Sequence, residues 1–206
     1  MKVLVTGANG GIGSSIAQGL KGAGIDVVET TSKDTDLSKP EEVSALKGRV
    51  GQVDWVVCAH GFIDTEQVLE KERTEDIQAT FDVNTLSLFW LAQAFLPDLQ
   101  TGFLILSSSA GLAPNGRYAA YSASKAAANA FVQAMARNRE HLKFIAVAPG
   151  PTNTEMRERI AGDAAKMQSP DTITAVVTKI VTGTSEYRSG DIVLVKDGVC
   201  STASQV

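Results

Sequence analysis

Three groups of residues in this sequence have types and spacings that could carry chemistry. The first is Thr6-Gly7-Ala8-Asn9-Gly10-Gly11-Ile12-Gly13, a glycine-rich turn that follows the apolar run Val3-Leu4-Val5 and leads into a stretch of helical period. Glycine lets a backbone turn sharply and approach a pyrophosphate, whose charge is met by free amides and the positive end of a helix dipole. Gly7, Gly11 and Gly13 form a GxxxGxG spacing that suits a nucleotide, the other reading being a merely tight structural turn. The second group is Tyr121-Ser122-Ala123-Ser124-Lys125, in which tyrosine and lysine at i and i+4 share a helix face. An ammonium beside a phenol favours the phenolate and brings its pKa down from about 10 toward neutrality, so the pair suits general acid or base work. Taken alone it reads more readily as a surface pair, since Tyr-x-x-x-Lys recurs often by chance. The third is Ser108, thirteen residues before Tyr121. Its hydroxyl could donate to a developing alkoxide, while the plain role of Ser107, Ser108 and Ser109 is backbone hydrogen bonding in a turn.

The elements that must position these groups follow from periodicity. Short β-branched runs at 2–5, 25–30, 54–59, 103–106, 144–148 and 190–196 alternate with helical patterns at 13–22, 40–47, 74–99, 119–139 and 171–181. The long pattern 74–99 allows a second boundary near Asn84, and the segment from Pro149 to Met167 reads as loop or weak helix. Such alternation predicts an α/β fold: a doubly wound parallel sheet of Rossmann type in three αβα layers, with the region after the second strand abbreviated. In these sheets ligands sit at the carboxyl ends of the strands. The glycine turn opens there and Ser108 follows a strand there, so the motifs face one crevice.

Composition narrows the function classes. At 206 residues, 44% hydrophobic and 20% charged, the chain is expected to form one domain over 1–206. Two cysteines, Cys58 and Cys200, and two histidines, His60 and His141, form no zinc spacing, so no metal is expected. A net charge of -4 offers no field for nucleic acid. No run approaches the roughly 18 apolar residues of a membrane span, and Val3-Leu4-Val5 is too short for a signal-peptide core. A cytoplasmic protein without membrane or nucleic-acid partners is expected.

With the glycine motif, Ser108 and the Tyr121/Lys125 pair in this order, and with Asn84 in Asp82-Val83-Asn84-Thr85, the chain resembles the short-chain dehydrogenase/reductase family over nearly its whole length. Pro149-Gly150-Pro151-Thr152-Asn153-Thr154 is similar to that family's Pro-Gly-x-x-x-Thr element near the nicotinamide, and 190–198 to its closing strand and loop. The resemblance implies an NAD(P)(H)-dependent oxidoreductase interconverting a carbonyl and an alcohol on a small organic substrate. Tyr121 would be the proton donor or acceptor and Ser108 would polarise the substrate oxygen. Lys125 would assist Tyr121 and bind the nicotinamide ribose, and Asn84 would hold a water leading to solvent, against a plain role as a buried structural amide. Pro149, Gly150, Thr152 and Thr154 would lie near the nicotinamide, and Asp36-Leu37 near the adenine.

The chain departs from that pattern in several places. Cys58-Ala59-His60-Gly61 replaces the usual Asn-Asn-Ala-Gly, leaving His60 either in the cofactor site or satisfied in a loop. Asp36-Leu37-Ser38 arrives only a few residues after Thr31. No carboxylate stands at Thr31, Ser32 or Lys33, where one would bind the adenosine ribose and repel a 2′-phosphate, so NADP(H) is modestly favoured over NAD(H). Glu29 and Asp34 are the rival anchors. Met156 and Ile160 suggest a helix face packed on the domain more than a lid. Apolar residues on more than one face of 74–99 and 119–139, among them Leu86, Phe89, Trp90, Phe131 and Met135, predict a homodimer or homotetramer. The competing class is a dinucleotide-binding redox sensor or scaffold without turnover. A sugar-nucleotide epimerase is disfavoured because no further domain is seen after residue 198.

Overall fold

The computed structural model describes residues 1–64, 66, 68–114, 116–161 and 167–203. Part of the segment preceding Met167, residues 162–166, therefore lies outside the described residues. The element order is β1 (Lys2–Thr6), α1 (Gly11–Gly22), β2 (Asp26–Thr30), α2 (Pro40–Val50), β3 (Trp55–Cys58), α3 (Thr74–Phe81), α4 (Ser87–Phe95), β4 (Gly102–Leu106), α5 (Ala119–Asn138), β5 (Lys143–Pro149), α6 (Glu155–Ala161), α7 (Pro170–Val181), β6 (Ile192–Lys196) and β7 (Val199–Ala203). Among the described residues these strands form one sheet in the order β2-β1-β3-β4-β5-β6-β7, parallel except for β7.

The continuous apolar runs of the strands reflect burial on both faces of the sheet. Successive side chains point to opposite sides: Leu4, Val56, Phe103 and Phe144 pack with Val43 and Leu46 of α2, Leu91 and Phe95 of α4 and Val132 of α5. Val3, Val5, Val57, Leu104 and Ile145 face the other way, onto Ile16 and Leu20 of α1 and Ile173, Val177 and Ile180 of α7. This is the predicted three-layer, doubly wound fold. β2 forms the sheet edge and α2 alone returns the chain to β3, which is the structural form of the abbreviated region. Because β1 lies between β2 and β3, the chain reverses direction across the sheet at β1, and the crevice opens there.

Two features depart from the periodicity reading. The pattern 74–99 is not one helix: Asp82–Leu86 forms a π-helical segment between α3 and α4, and a 3₁₀ turn at Leu96–Asp98 ends the run. The side chains of this widened turn, Asn84 and Thr85, bond to residues outside the helix, at the boundary the sequence allowed near Asn84. β7 was not anticipated either. Asp197 (φ 53°) and Gly198 (φ 77°) are both left-handed, as a two-residue hairpin turn requires, but the strand that follows is exposed and lacks an apolar face. The apolar residues of α4 and α5 also divide. Phe131 belongs to the core, Trp90 and Met135 lie half-buried against it, and Leu86 and Phe89 remain exposed. Phe89 meets Phe131 edge-on at 5.0 Å between ring centroids.

Candidate active site

The glycine turn follows directly from β1. Gly7 has φ 67°, and a β-carbon there would come within 2.6 Å of the His60 backbone, so both conformation and space demand glycine. A β-carbon on Gly13 would lie 2.2 Å from the Gly7 carbonyl oxygen, which explains the third glycine: α1 must start against its own turn. The N-cap of α1 is Gly10, which has no side-chain oxygen to cap the first amides. Those amides border a cavity of about 600 Å³ lined by Asn9, Gly10, Gly11, Ile12, Gly13, Ser32, Ala59, His60, Gly61, Tyr121, Lys125, Pro149 and Thr154 among others. The volume lies within the roughly 300–1,000 Å³ of small-molecule and cofactor sites.

A second, smaller cavity of about 250 Å³ adjoins it, and Ile12, Ile63, Ser107, Tyr121, Pro149, Thr154, Met156 and Ile160 border both. Ser108, Gly150 and Thr152 border the smaller one alone. The crevice thus brings together Tyr121, Ser108, Lys125, the glycine turn and the Pro149–Thr154 segment. Met156 and Ile160 of α6 border both cavities.

Lys125 is 4% exposed, and its ammonium donates to the Leu106 carbonyl at 2.9 Å while lying 5.8 Å from the centroid of the Tyr121 ring. Burial lowers its pKa to about 8. Ser124, one residue before it, donates to the Tyr121 carbonyl at 2.8 Å and accepts from Asn84 Nδ2 at 3.0 Å. The other hydrogen of that amide goes to the Phe62 carbonyl at 2.8 Å, and Oδ1 accepts from the Phe62 amide at 2.8 Å. The Asn84 side chain, held by the π-helical segment, therefore clamps the loop after β3 onto α5. A β-carbon on Gly61 would meet Asn84 Oδ1 at 3.3 Å and Lys125 Nζ at 3.4 Å, so this glycine keeps the space between the two open.

His60 is satisfied by hydrogen bonds in its loop, one of the two roles its sequence context allowed. It borders the larger cavity, and both ring nitrogens are bonded: Nδ1 to Thr6 Oγ1 at 2.6 Å and Nε2 to Ser87 Oγ at 2.8 Å. Ser87 donates its own proton to the Val83 carbonyl at 2.6 Å, so it accepts from Nε2–H, and Nδ1 accepts from the Thr6 hydroxyl. Burial and the nearby Lys125 charge push the imidazole pKa down to about 3. Burial raises the Cys58 thiol far above its ordinary range, so that side chain is an inert part of the core.

Other predicted positions lie off the cavities. Leu37 is buried in the core, and the Asp36 carboxylate accepts from Ser38 and pairs with Lys39. The Thr31 amide and hydroxyl both donate to Asp34 Oδ2, at 3.0 and 2.7 Å. Lys33 is exposed beside them, and Glu29 pairs with Lys21 at 2.5 Å. Gly7 lies beneath the turn and Asn84 behind Gly61. The Thr152 hydroxyl is buried and donates to the Gly150 carbonyl. The sequence reading missed Gln168, whose amide donates at 2.8 Å to the Val195 carbonyl and also reaches Thr152, tying the Pro149–Thr154 segment to β6. It missed Ile63, Ala113 and Tyr118 as cavity walls as well. Among the described residues no cluster of histidine, cysteine, aspartate or glutamate is placed to hold a metal ion, and no helix is long and apolar enough to cross a membrane.

Comparison with known proteins agrees with this arrangement. Residues 29–165 match the family model described as short chain dehydrogenase. A hydroxynaphthalene reductase-like protein, Arp2 of Metarhizium brunneum, is 33% identical over 187 residues, covering 74% of this chain and 68% of that protein. The oxidoreductase YhxD of Bacillus subtilis is 26% identical over 187 residues, 76% of this chain but only 62% of the relative's length. A 3-ketoacyl-(acyl-carrier-protein) reductase of Brucella melitensis, solved with NADH, shares the fold with a TM-score of 0.88 at 19% identity, covering 96% of this chain and 97% of that one.

Proposed function

The chain belongs to the short chain dehydrogenase family of NAD(P)-dependent oxidoreductases, and within that family we propose that it interconverts a carbonyl and an alcohol on a small organic molecule with Tyr121 as the proton carrier. The observation that carries this reading is Tyr121 at the junction of the two cavities with the Lys125 ammonium beside its ring. The amides at Gly10–Gly13 would hold the pyrophosphate of the dinucleotide, and Ala59, His60, Gly61 and Thr154 would line its nicotinamide half. When bound, the nicotinamide supplies a hydride in its reduced form and takes one in its oxidised form.

In the reductive direction the Tyr121 hydroxyl gives its proton to the carbonyl oxygen as the carbon gains hydride, and the phenolate left behind is stabilised by Lys125. Ser108 Oγ accepts from the Ala110 amide at 3.1 Å, which fixes the oxygen and points its own proton elsewhere, suiting it to donate to the substrate oxygen. Lys125, whose lowered pKa suits proton exchange near neutrality, would return the proton to Tyr121, with water over Gly61 between Asn84 Oδ1 and Lys125 Nζ as the route to solvent.

NADP(H) is the proposed partner over NAD(H), because both rival carboxylates are already engaged, Glu29 by Lys21 and Asp34 by Thr31, while Ser32 and Lys33 remain beside the turn. A cytoplasmic homodimer or homotetramer completes the reading, the exposed Leu86 and Phe89 of the π segment and α4 supplying the association face. The experiment is to mix the protein with NADPH or NADH and a panel of aldehydes, ketones and quinones, following the absorbance of the reduced nicotinamide. Carbonyl-dependent oxidation is expected. Tight dinucleotide binding without turnover across the panel would overturn the assignment and leave a sensor.

A further inference from the structure

The smaller cavity differs in chemistry from the larger one. The charged residues of the crevice, Asp64, Lys125, Glu155 and Arg159, border the larger cavity, and among the described residues no charged side chain borders the smaller. Arg159 is moreover paired with Glu155 on α6. The smaller cavity is lined by apolar groups, among them Ile63, Ala110, Ala113, Pro151, Met156 and Ile160, together with uncharged hydroxyls that include Ser108 and Tyr121, between which a carbonyl oxygen would sit. A carboxylate, phosphate or ammonium carried by the substrate finds no counter-charge here among the described residues, so the hydration it gives up on entering is uncompensated. The approach reinforces the discrimination. Asp64 stands on the crevice wall close in sequence to Glu66, Glu72 and Asp76, and the Glu72 carboxyl is pushed up first by burial and then by those three carboxylates, so they lie within one another's field. Arg73 pairs with Asp76 at 3.3 Å and offsets part of that field, and what remains opposes an anion entering from that side.

Volume sets the size. A dry cavity of about 150 Å³ accepts benzene in another protein. The roughly 250 Å³ here, open to the larger cavity and walled by alanine methyls on the Ser108–Ala113 side, holds a body of about two fused rings.

Building on the carbonyl–alcohol reading above, we infer that the substrate is a neutral, compact, ring-bearing carbonyl compound of up to about two fused rings, held by apolar walls with its oxygen between Ser108 and Tyr121. Ionised carbonyl substrates and long-chain thioesters fit this lining poorly.

The test compares matched ketones on the full chain with saturating NADPH. Uncharged 4-methylcyclohexanone and 4-oxocyclohexanecarboxylate differ in charge at nearly constant size. 1-Tetralone probes the full volume and a long-chain 3-oxoacyl thioester exceeds it. Expected are a kcat/KM at least 100-fold higher for 4-methylcyclohexanone than for the carboxylate, 1-tetralone at least equal to the monocycle, and the thioester inactive. Ala113→Phe, which fills the smaller cavity alone, should reduce 1-tetralone turnover more than tenfold, reduce the monocycle less, and leave the dissociation constant for NADPH within twofold. Turnover of the carboxylate within tenfold of its neutral partner, or of the thioester above the ring ketones, would overturn the substrate class while leaving the oxidoreductase reading intact. Binding of NADPH with no ketone or aldehyde reduced would overturn that reading, and the substrate class with it.

Discussion

Thr6 Oγ1 and His60 Nδ1 lie 2.6 Å apart, joining the end of β1 to the loop after β3 directly beneath the glycine turn. Through Nε2 the same ring reaches Ser87 at the start of α4, so one neutral imidazole ties together three elements that converge on the crevice. A protonated ring could not accept from Thr6, and its pKa of about 3 lies well below the ordinary 6.5. The unfolded chain therefore takes up a proton on His60 below pH 6.5 while the folded chain does not, and stability is lost as pH falls from 6.5 toward 3.

Because the ring is half-buried, the expected loss between pH 6.5 and 5 is at most about 2 kcal/mol, from a limit of about 1.4 kcal/mol per pH unit. Urea unfolding of the wild type and His60→Asn at both pH values measures it. The variant should be less stable at pH 6.5 and lose less stability on acidification to pH 5. Equal losses in the two proteins would show that the ring does not stay neutral in the fold.

Tyr121→Phe removes the proton carrier and keeps the ring that borders both cavities. Turnover should fall by about 10²- to 10⁴-fold, the usual contribution of general acid–base catalysis, while dinucleotide affinity changes by no more than a few-fold. Steady-state rates together with fluorescence titration check this. Activity within a few-fold of wild type would remove Tyr121 from the mechanism.

Lys125 carries a pH signature of opposite range. With a folded pKa of about 8 and an unfolded one near 10.5, the folded chain gives up a proton that the unfolded chain keeps, so stability rises with pH across that interval. Relative to Lys125→Met, the wild type without dinucleotide should gain up to about 1.4 kcal/mol per pH unit between pH 8 and 10. Denaturant midpoints at pH 7.5, 8.5 and 9.5 give the comparison. A constant difference between the two proteins would mean that the ammonium is solvated. Lys125→Met should also weaken dinucleotide binding.

These residues were legible in the chain because local geometry joins them: a strand running into a glycine turn, and a tyrosine and lysine on one face of a helix. The same holds for the sheet, whose apolar runs report burial on both faces. What could not be read depends on contacts between distant segments. Ile63, Ala113 and Met156 reach one cavity from three loops or helices, and no period relates them. Asn84 could be placed near the site, but only the fold shows its amide gripping Phe62 and Ser124. The π-helical turn that presents it leaves apolar spacing unchanged. β7 was signalled by Asp197-Gly198, yet its exposed side chains lack the alternation that marks a half-buried strand.

The proposed association face has two members. Phe89 is 44% exposed and Leu86 37%, while Phe131 contributes to the core instead. Light scattering should return a dimer or tetramer of the 21.7 kDa chain, and Phe89→Glu, which places a charge on that face, should shift the population toward monomer without a large change in thermal midpoint. A monomeric wild type at micromolar concentration would refute the oligomer.

The choice of dinucleotide turns on four residues at the end of β2. Glu29 points to Lys21 on α1, and that exposed pair contributes little to stability but occupies the carboxylate. Asp34 is held by the amide and hydroxyl of Thr31, and these bonds lower its carboxyl pKa, so it stays ionised and oriented into its own turn. Ser32 borders the larger cavity and the exposed Lys33 follows it, a hydroxyl and an ammonium suited to a 2′-phosphate. Lys33→Glu should therefore weaken NADPH by about tenfold, roughly the 1.4 kcal/mol expected for replacing attraction by repulsion at an exposed phosphate contact, and leave NADH within twofold. Asp34→Ala should favour NADPH further by removing a nearby negative charge that opposes the phosphate. Fluorescence titration of both reduced dinucleotides against the three proteins decides the matter. If NADH binds the wild type more tightly, and Asp34→Ala weakens it while Lys33→Glu has no effect on NADPH, then Asp34 is the ribose anchor and the preference is reversed.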